Sequence, residues 1–213
     1  RLDVRVALCG AFGGEVGPIL RHLMTLANIR VVGIDAGSNG AYVHDRRSGE
    51  RVEVASMPAV ALSRHALDDL YGRTVVEALR ADVTVLSGPA LGANVLPDDV
   101  YRRLSHDVRA NGGRVVADLS GGRLDAALRG GVDVLKVSEE ELQRDGRLTR
   151  AGSVERAMRE LVGCGAGGVI VSPGDERATA LVDGKLIRAT GPVFEPAETR
   201  GAGDSLTAAV AAV

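Results

Sequence analysis

Residues 199 to 210 read TRGAGDSLTAAV: Gly201 and Gly203 flank Ala202, Asp204 follows directly, and a run of small helix formers comes next. Glycines at such a point let the backbone approach a ligand closely as it turns into a helix. The first amide N–H groups of that helix lack internal partners, and the aligned peptide dipoles add partial positive charge, so a phosphate would fit there. A carboxylate beside an anion site repels its ligand unless it has work to do. Accepting a proton from a hydroxyl as it attacks a phosphoryl group is such work. On the residues alone a plainer alternative stands beside it, in which Asp204 merely charges the first turn and the glycines make a tight loop. Arg200, directly ahead of the glycines, is placed either to add positive charge toward a transferring phosphoryl group or to face solvent.

Something must carry that bend to its ligand, and the chain upstream alternates short β-branched runs with helical ones. VRVALCG reads as a strand and EVGPILRHLMTLA as a helix, with Ile19, Leu20, Leu23 and Leu26 at helical spacing. Residues 29–56 hold strand-like runs divided by Asn39-Gly40 and Ser48-Gly49, and are expected to form a small antiparallel β-ribbon. From residue 69 the alternation becomes regular. DLYGRTVVEALRA, PDDVYRRLSHDVRANG, LDAALRG, EEELQRD and SVERAMRELVGCG are predicted helices, and DVTVLSG, GRVVADLSG, VDVLKVS and GGVIVSPG predicted strands. Near-continuous apolar strands between helices argue for a mostly parallel sheet covered on both faces, hence a three-layer α/β fold. Asp183-Gly184, between two alternating runs, is a strong hairpin signal.

Composition narrows the classes. A chain of 213 residues, 45% hydrophobic and 25% charged, can bury one substantial core, and a single domain is expected. The net charge is -2 and only 2% of residues are aromatic, so neither phosphate-backbone tracking nor base stacking has its usual material, and no nucleic-acid partner is expected. Cys9 and Cys164 are isolated thiols without CxxC spacing, expected to be small buried hydrophobes in a reducing compartment. His22, His44, His65 and His106 show no metal-ligand spacing. No apolar run approaches a membrane span and the first residues do not read as a signal peptide, so a cytoplasmic protein with no membrane association is expected.

The motifs taken in order resemble the ribokinase-like, or PfkB, family of sugar kinases. TRGAGD resembles its GAGD signature, VALCGAFGGEVG its Gly-rich strand-turn-helix, VLSGPAL a mid-chain strand end, and VVADLSGGRL a strand carrying an acid. VDVLKVSEEEL is similar to the strand leading into its N-x-x-E segment, and GVIVSPGDERATALVDGKL to the strand and hairpin before GAGD. The ordered set is most similar to the phosphosugar branch, which includes 1-phosphofructokinase and tagatose-6-phosphate kinase. The resemblance implies a ribokinase-like fold with residues 29–56 as a β lid, and an ATP-dependent, Mg²⁺-requiring kinase acting on a sugar or sugar phosphate. It implies that Asp204 is the catalytic base and that the N–H groups of Gly201, Ala202 and Gly203 form the hole for the transferred phosphoryl charge. Lys136, Ser138, Ser172, Gly174 and Arg200 would lie near the nucleotide phosphates, Glu141 would help hold Mg²⁺ through water, and Asn39 and Ser87 would lie on the substrate side. A homodimer joined through the ribbon is a further implication.

Departures from the pattern keep an alternative open. Ser138 stands where the family has Asn, and Asn39-Gly40 where the phosphosugar branch commonly has a Thr-Arg pair gripping the substrate phosphate. The family's early Gly-Gly-Asn motif and its helices beyond GAGD have no counterpart in these residues, so the chain is expected to lack both family termini. These departures motivate a second reading, a non-catalytic relative that binds a nucleotide or phosphosugar. A third, a dinucleotide fold at GAFGGEVG, meets glycines at 10, 13, 14 and 17 rather than G-x-G-x-x-G, and an expected ribbon where a βαβ unit is required.

Overall fold

Valine-rich runs become strands and the amphipathic runs between them become helices. The structure, a computed structural model, describes residues 4–47, 49, 52–88, 95–149, 152–172, 177–190 and 201–213. In chain order the first elements are β1 (Ala7–Ala11), α1 (Gly17–Leu26), β2 (Arg30–Ile34), β3 (Ala41–Asp45), β4 (Val52–Met57) and α2 (Arg64–Ala78). Next come β5 (Val83–Ser87), α3 (Asp99–Ala110), β6 (Arg114–Asp118), α4 (Gly121–Gly130), β7 (Val132–Ser138) and α5 (Glu139–Arg144). The chain continues with α6 (Val154–Gly163), β8 (Ala166–Ser172), β9 (Arg177–Val182), β10 (Lys185–Thr190) and α7 (Ala202–Ala211).

Contacts divide the described residues into two compact units where length alone led to the expectation of one domain. The first holds Ala78–Gly88 and Asp98–Val213; the second holds the described residues up to Glu77 together with 95–97. Each closes its own strand ladders. In the first unit six strands run in the order β10-β9-β8-β7-β6-β5, parallel from β5 to β8 and antiparallel from β8 to β10. Val115, Val116 and Ala117 of β6 are all buried, as are Leu135, Lys136 and Val137 of β7. Consecutive strand residues point to opposite faces, so both faces of this α/β sheet are covered. Val100, Tyr101, Leu104, Ser105 and Val108 bury one stripe of α3, and Ala157, Met158 and Leu161 one stripe of α6, at the spacing a helix requires.

The β9–β10 hairpin forms as its turn residues dictate. Val182 faces Lys185, and the two loop residues, Asp183 and Gly184, take φ of 50° and 73°, the left-handed pair that suits the twist of a two-residue hairpin. α2 starts five residues before the predicted helix because the hydroxyl oxygen of Ser63 accepts the Ala66 N–H at 3.2 Å and caps it. α4 starts at Gly121, whose N–H donates to Asp145 Oδ2 at 2.6 Å.

In the second unit the expected ribbon over 29–56 is corrected. Residues 30–34 form β2, which runs parallel to β1 from the pair Ala7–Arg30 to the pair Ala11–Ile34; only β3 and β4 pair antiparallel. The reason is the connection: a helix between two strands returns the chain for parallel pairing. The βαβ unit thought to be interrupted is therefore present, while its glycine spacing still departs from the dinucleotide fingerprint. The thiols also differ from expectation. Burial pushes the half-buried Cys9 thiol up from its ordinary value, but Cys164 is exposed at the C-cap of α6. Among the described residues no helix is long and apolar enough to cross a membrane.

Candidate functional site

Parallel strands bring their carboxyl ends to one edge, and the candidate residues line up along it. Ser87 ends β5 and pairs in register with Asp118 at the end of β6; Asp118 pairs with Lys136 of β7; Ser138 at the end of β7 pairs with Ser172 at the end of β8. Ligands of open α/β sheets bind beyond this edge. Ser87 is exposed and Ser138 and Ser172 are half-buried. Gly174 and Arg200 lie outside the described residues.

Helix α7 meets the same edge. Gly201 is its N-cap, at φ 79° and ψ 4°, a left-handed conformation that glycine adopts without strain. Ser205 N–H donates to the Gly201 carbonyl at 2.8 Å, closing the first helical turn. The amides of Ala202, Gly203 and Asp204 lie in that turn and have no acceptor among the described residues, as helix geometry requires. Asp204 is exposed, and its carboxylate makes no hydrogen bond or ion pair with any described residue. Among the described residues the first turn thus offers open N–H groups and one carboxylate without a partner.

Asp118 and Thr207, beneath it, were not singled out for the site by sequence; both contact Lys136 or its partner. Lys136, 5% exposed, donates to both carboxylate oxygens of Asp118 at 3.2 Å each. The Thr207 hydroxyl lies 2.6 Å from Asp118 Oδ2 and 3.0 Å from the Gly203 carbonyl; with one hydrogen to give, the shorter contact to the charged acceptor is the stronger. A Cβ built at Gly203 would stand 2.7 Å from Lys136 Nζ. A lysine tip ordinarily moves aside, but this one is held by Asp118, so the missing side chain at 203 is what lets the helix settle on the sheet. The signals were in the sequence: a lysine between Leu135 and Val137 of an apolar strand needs a buried partner, and the acid ending the neighbouring strand supplies it.

Glu141 and Ser138 make a reciprocal N-terminal cap on α5. Ser138 N–H and Oγ–H both donate to Glu141 Oε2 at 2.8 Å, and Glu141 N–H donates to Ser138 Oγ at 3.2 Å. A serine followed three residues later by glutamate is the capping-box spacing, which the comparison with N-x-x-E obscured. Among the described residues no group of three or more His, Cys, Asp or Glu is arranged to hold a metal ion. Asn39 belongs to the second unit, where its Oδ1 accepts the Gly13 N–H at 3.0 Å and its Nδ2 donates to the Ala11 carbonyl at 3.4 Å, tying the β1–α1 turn.

Comparison with known proteins agrees with the α/β architecture of the chain. The model of the pfkB family carbohydrate kinases matches residues 1–213. The chain is 30% identical over 205 residues to ATP-dependent 6-phosphofructokinase isozyme 2 of Escherichia coli (strain K12), which covers 93% of this chain and 65% of that protein. It therefore spans slightly less than two-thirds of that relative's length. It is 37% identical over 112 residues to 1-phosphofructokinase of Rhodobacter capsulatus, covering 52% of this chain and 35% of that protein. The crystal structure of phosphofructokinase-2 from Escherichia coli in complex with potassium superposes with a TM-score of 0.83 at 26% identity, over 99% of this chain and 70% of that one. Matched by the family model over all 213 residues, the chain belongs to the pfkB family of carbohydrate kinases.

Proposed function

We propose that this chain carries the phosphoryl-transfer machinery of an ATP-dependent sugar-phosphate kinase. The observation that carries the reading is the first turn of α7: a left-handed glycine start, amides at 202–204 without an acceptor among the described residues, and an exposed Asp204 carboxylate without a partner among them, at the carboxyl edge of a parallel sheet. In this reading Asp204 takes the proton of the acceptor hydroxyl as the oxygen attacks the γ-phosphorus, and the bond from that phosphorus to the bridging oxygen of ADP breaks. The N–H groups of Gly201, Ala202 and Gly203 face the charge that develops on the transferred group; a preorganised donor of this kind is worth about 3–4 kcal/mol. In this reading Ser138 and Ser172 lie on the nucleotide side and Ser87 on the acceptor side. Lys136 lies against the same turn, its charge balanced by Asp118.

Magnesium fits the donor set to the extent of one carboxylate oxygen. Glu141 Oε2 is taken by Ser138, while Oε1 has no partner among the described residues, and Mg²⁺ is commonly held by one or two carboxylates, waters and substrate phosphates. When bound, the ion would neutralise charge on the phosphates. The test is ADP release on a panel of phosphosugars, with and without Mg²⁺, using the full-length protein. Steady, Mg²⁺-dependent turnover on at least one sugar phosphate is expected. Absence of turnover across the panel, with nucleotide or phosphosugar still bound, would establish the non-catalytic alternative.

Association into a homodimer through β3 and β4 is part of the same reading. Every residue of β4 is exposed, and Val43, Val52, Val54 and Met57 each expose more than half of their surface. Exposed apolar ribbons of this kind favour association. Light scattering of the full-length protein is expected to give twice the monomer mass, and a monomer at working concentration would remove this part.

A further inference from the structure

We infer that Asp118, Lys136 and Thr207 form a clamp that fixes the position of α7, and with it the direction in which Asp204 projects. The inference rests on the proposed kinase reading for its functional meaning and on geometry alone for the clamp itself. Helix α7 is composed mostly of small residues, and its one buried residue is Thr207, a polar side chain. Small apolar side chains give a helix little to interlock with a sheet, so packing alone sets its rotation and slide weakly. The Thr207 hydroxyl supplies a fixed point by bonding Asp118 Oδ2 at 2.6 Å.

One turn earlier on the same face, Gly203 supplies the second. Residues four apart stack along one side of a helix, so Gly203 and Thr207 face the sheet together. Gly203 rests against Lys136 Nζ, closer than any side chain would permit, and Lys136 is in turn pinned by both oxygens of Asp118. A single carboxylate therefore holds the helix at one point directly and at the other through the ammonium. Asp204, the residue after Gly203, lies about 100° further round the helix and so leaves the clamped face for solvent. A slide of one residue would move its carboxylate by about 1.5 Å and rotate it by that same angle, more than general-base geometry tolerates. These three side chains are positioning residues; none needs to touch substrate.

Hydrogen–deuterium exchange of the full-length protein, followed at the amides of residues 205–211, tests the clamp. Thr207→Val keeps the shape and removes the hydroxyl; exchange across α7 is expected to rise by about tenfold, with α3 and α4 unchanged, because the helix opens without the rest of the sheet. Thr207→Ser, which restores the hydroxyl, is expected to return exchange to within about threefold of the parent. If Thr207→Val fails to fold, Asp118→Asn takes its place with the same expectation for α7. In an active parent, Thr207→Val is further expected to lower kcat while KM for the sugar phosphate stays within about twofold, the split that misplacement of a base produces. Unchanged exchange in Thr207→Val overturns the clamp, and so does equal acceleration in the Val and Ser variants, which would show that restoring the hydroxyl does not restore the hold on the helix. A parent without turnover removes the kinase reading alone and leaves exchange to decide the clamp.

Discussion

Asp204→Asn is expected to lower kcat by about 10²–10⁴-fold while leaving the fold and the nucleotide KM almost unaltered. The carboxylate makes no contact with any described residue and is exposed, so its replacement orphans no buried donor. Among the described residues its structural contribution is the interaction of a negative charge with the first turn of α7, worth about 0.3–1 kcal/mol at an exposed position. A capping role thus predicts a small loss of stability and normal turnover. A base role predicts the reverse, because the amide of asparagine cannot take up the hydroxyl proton. Nucleotide affinity separates the readings further: a carboxylate beside a phosphate repels it, so removing the charge should leave KM for ATP unchanged or lower. Turnover of Asp204→Asn within about threefold of an active parent, on every phosphosugar the parent accepts, would refute the assignment.

What the sequence made legible follows the range of the interactions involved. The parallel strands β5 to β8 were readable because each is a short apolar run between helical patterns, and Asp183-Gly184 because hairpin chemistry is confined to two residues. The bend at Gly201 and the helix after it were readable for the same reason. Pairing was not. Val31, Val32 and Ile34 suit a ribbon or a parallel strand equally, and only the return of the chain through α1 settles that β2 joins β1. Asn39-Gly40, read as a turn signal and a substrate contact, has its amide engaged with the β1–α1 turn 26 residues earlier, a distance no local pattern spans. Cys164 looked apolar by its neighbours but falls where α6 ends, and the end of a helix exposes what its middle would bury.

The site divides along the same line. Asp204 and the glycines form a contiguous motif and were found as one. The frame beneath them joins residues 118, 136 and 207, and Thr207 reaches Asp118 across 89 positions. The resemblance puts Lys136 near phosphates, whereas its own strand carries the stronger clue: a lysine between Leu135 and Val137 in a strand buried on both faces must have a counter-charge close by. Glu141 carries both the spacing of a capping box and the place of a metal carboxylate, and the two uses are compatible because they draw on different oxygens.

Lys136→Met is expected to cost about 3–5 kcal/mol, the largest stability loss of any single substitution considered for this edge. The lysine side chain is 6% exposed and that of Asp118 14%, so removing the ammonium leaves a carboxylate with little water and one hydroxyl donor, Thr207. If the pair behaved as a surface ion pair, the cost would be about 0–1 kcal/mol; the burial decides against that. Against a typical total of about 5–15 kcal/mol, the loss is about a fifth or more, and thermal unfolding should fall by about 6–20 °C. Asp118→Asn/Lys136→Met removes both charges, and its cost should be well below the sum of the single changes, because most of each single loss is the penalty of the partner left behind. Urea unfolding of the parent, the two single variants and the double variant measures the coupling. Additive losses, or a Lys136→Met variant within about 1 kcal/mol of the parent, would mean that the ammonium and carboxylate are separately solvated, and α7 would then lose the support that Gly203 finds on Lys136.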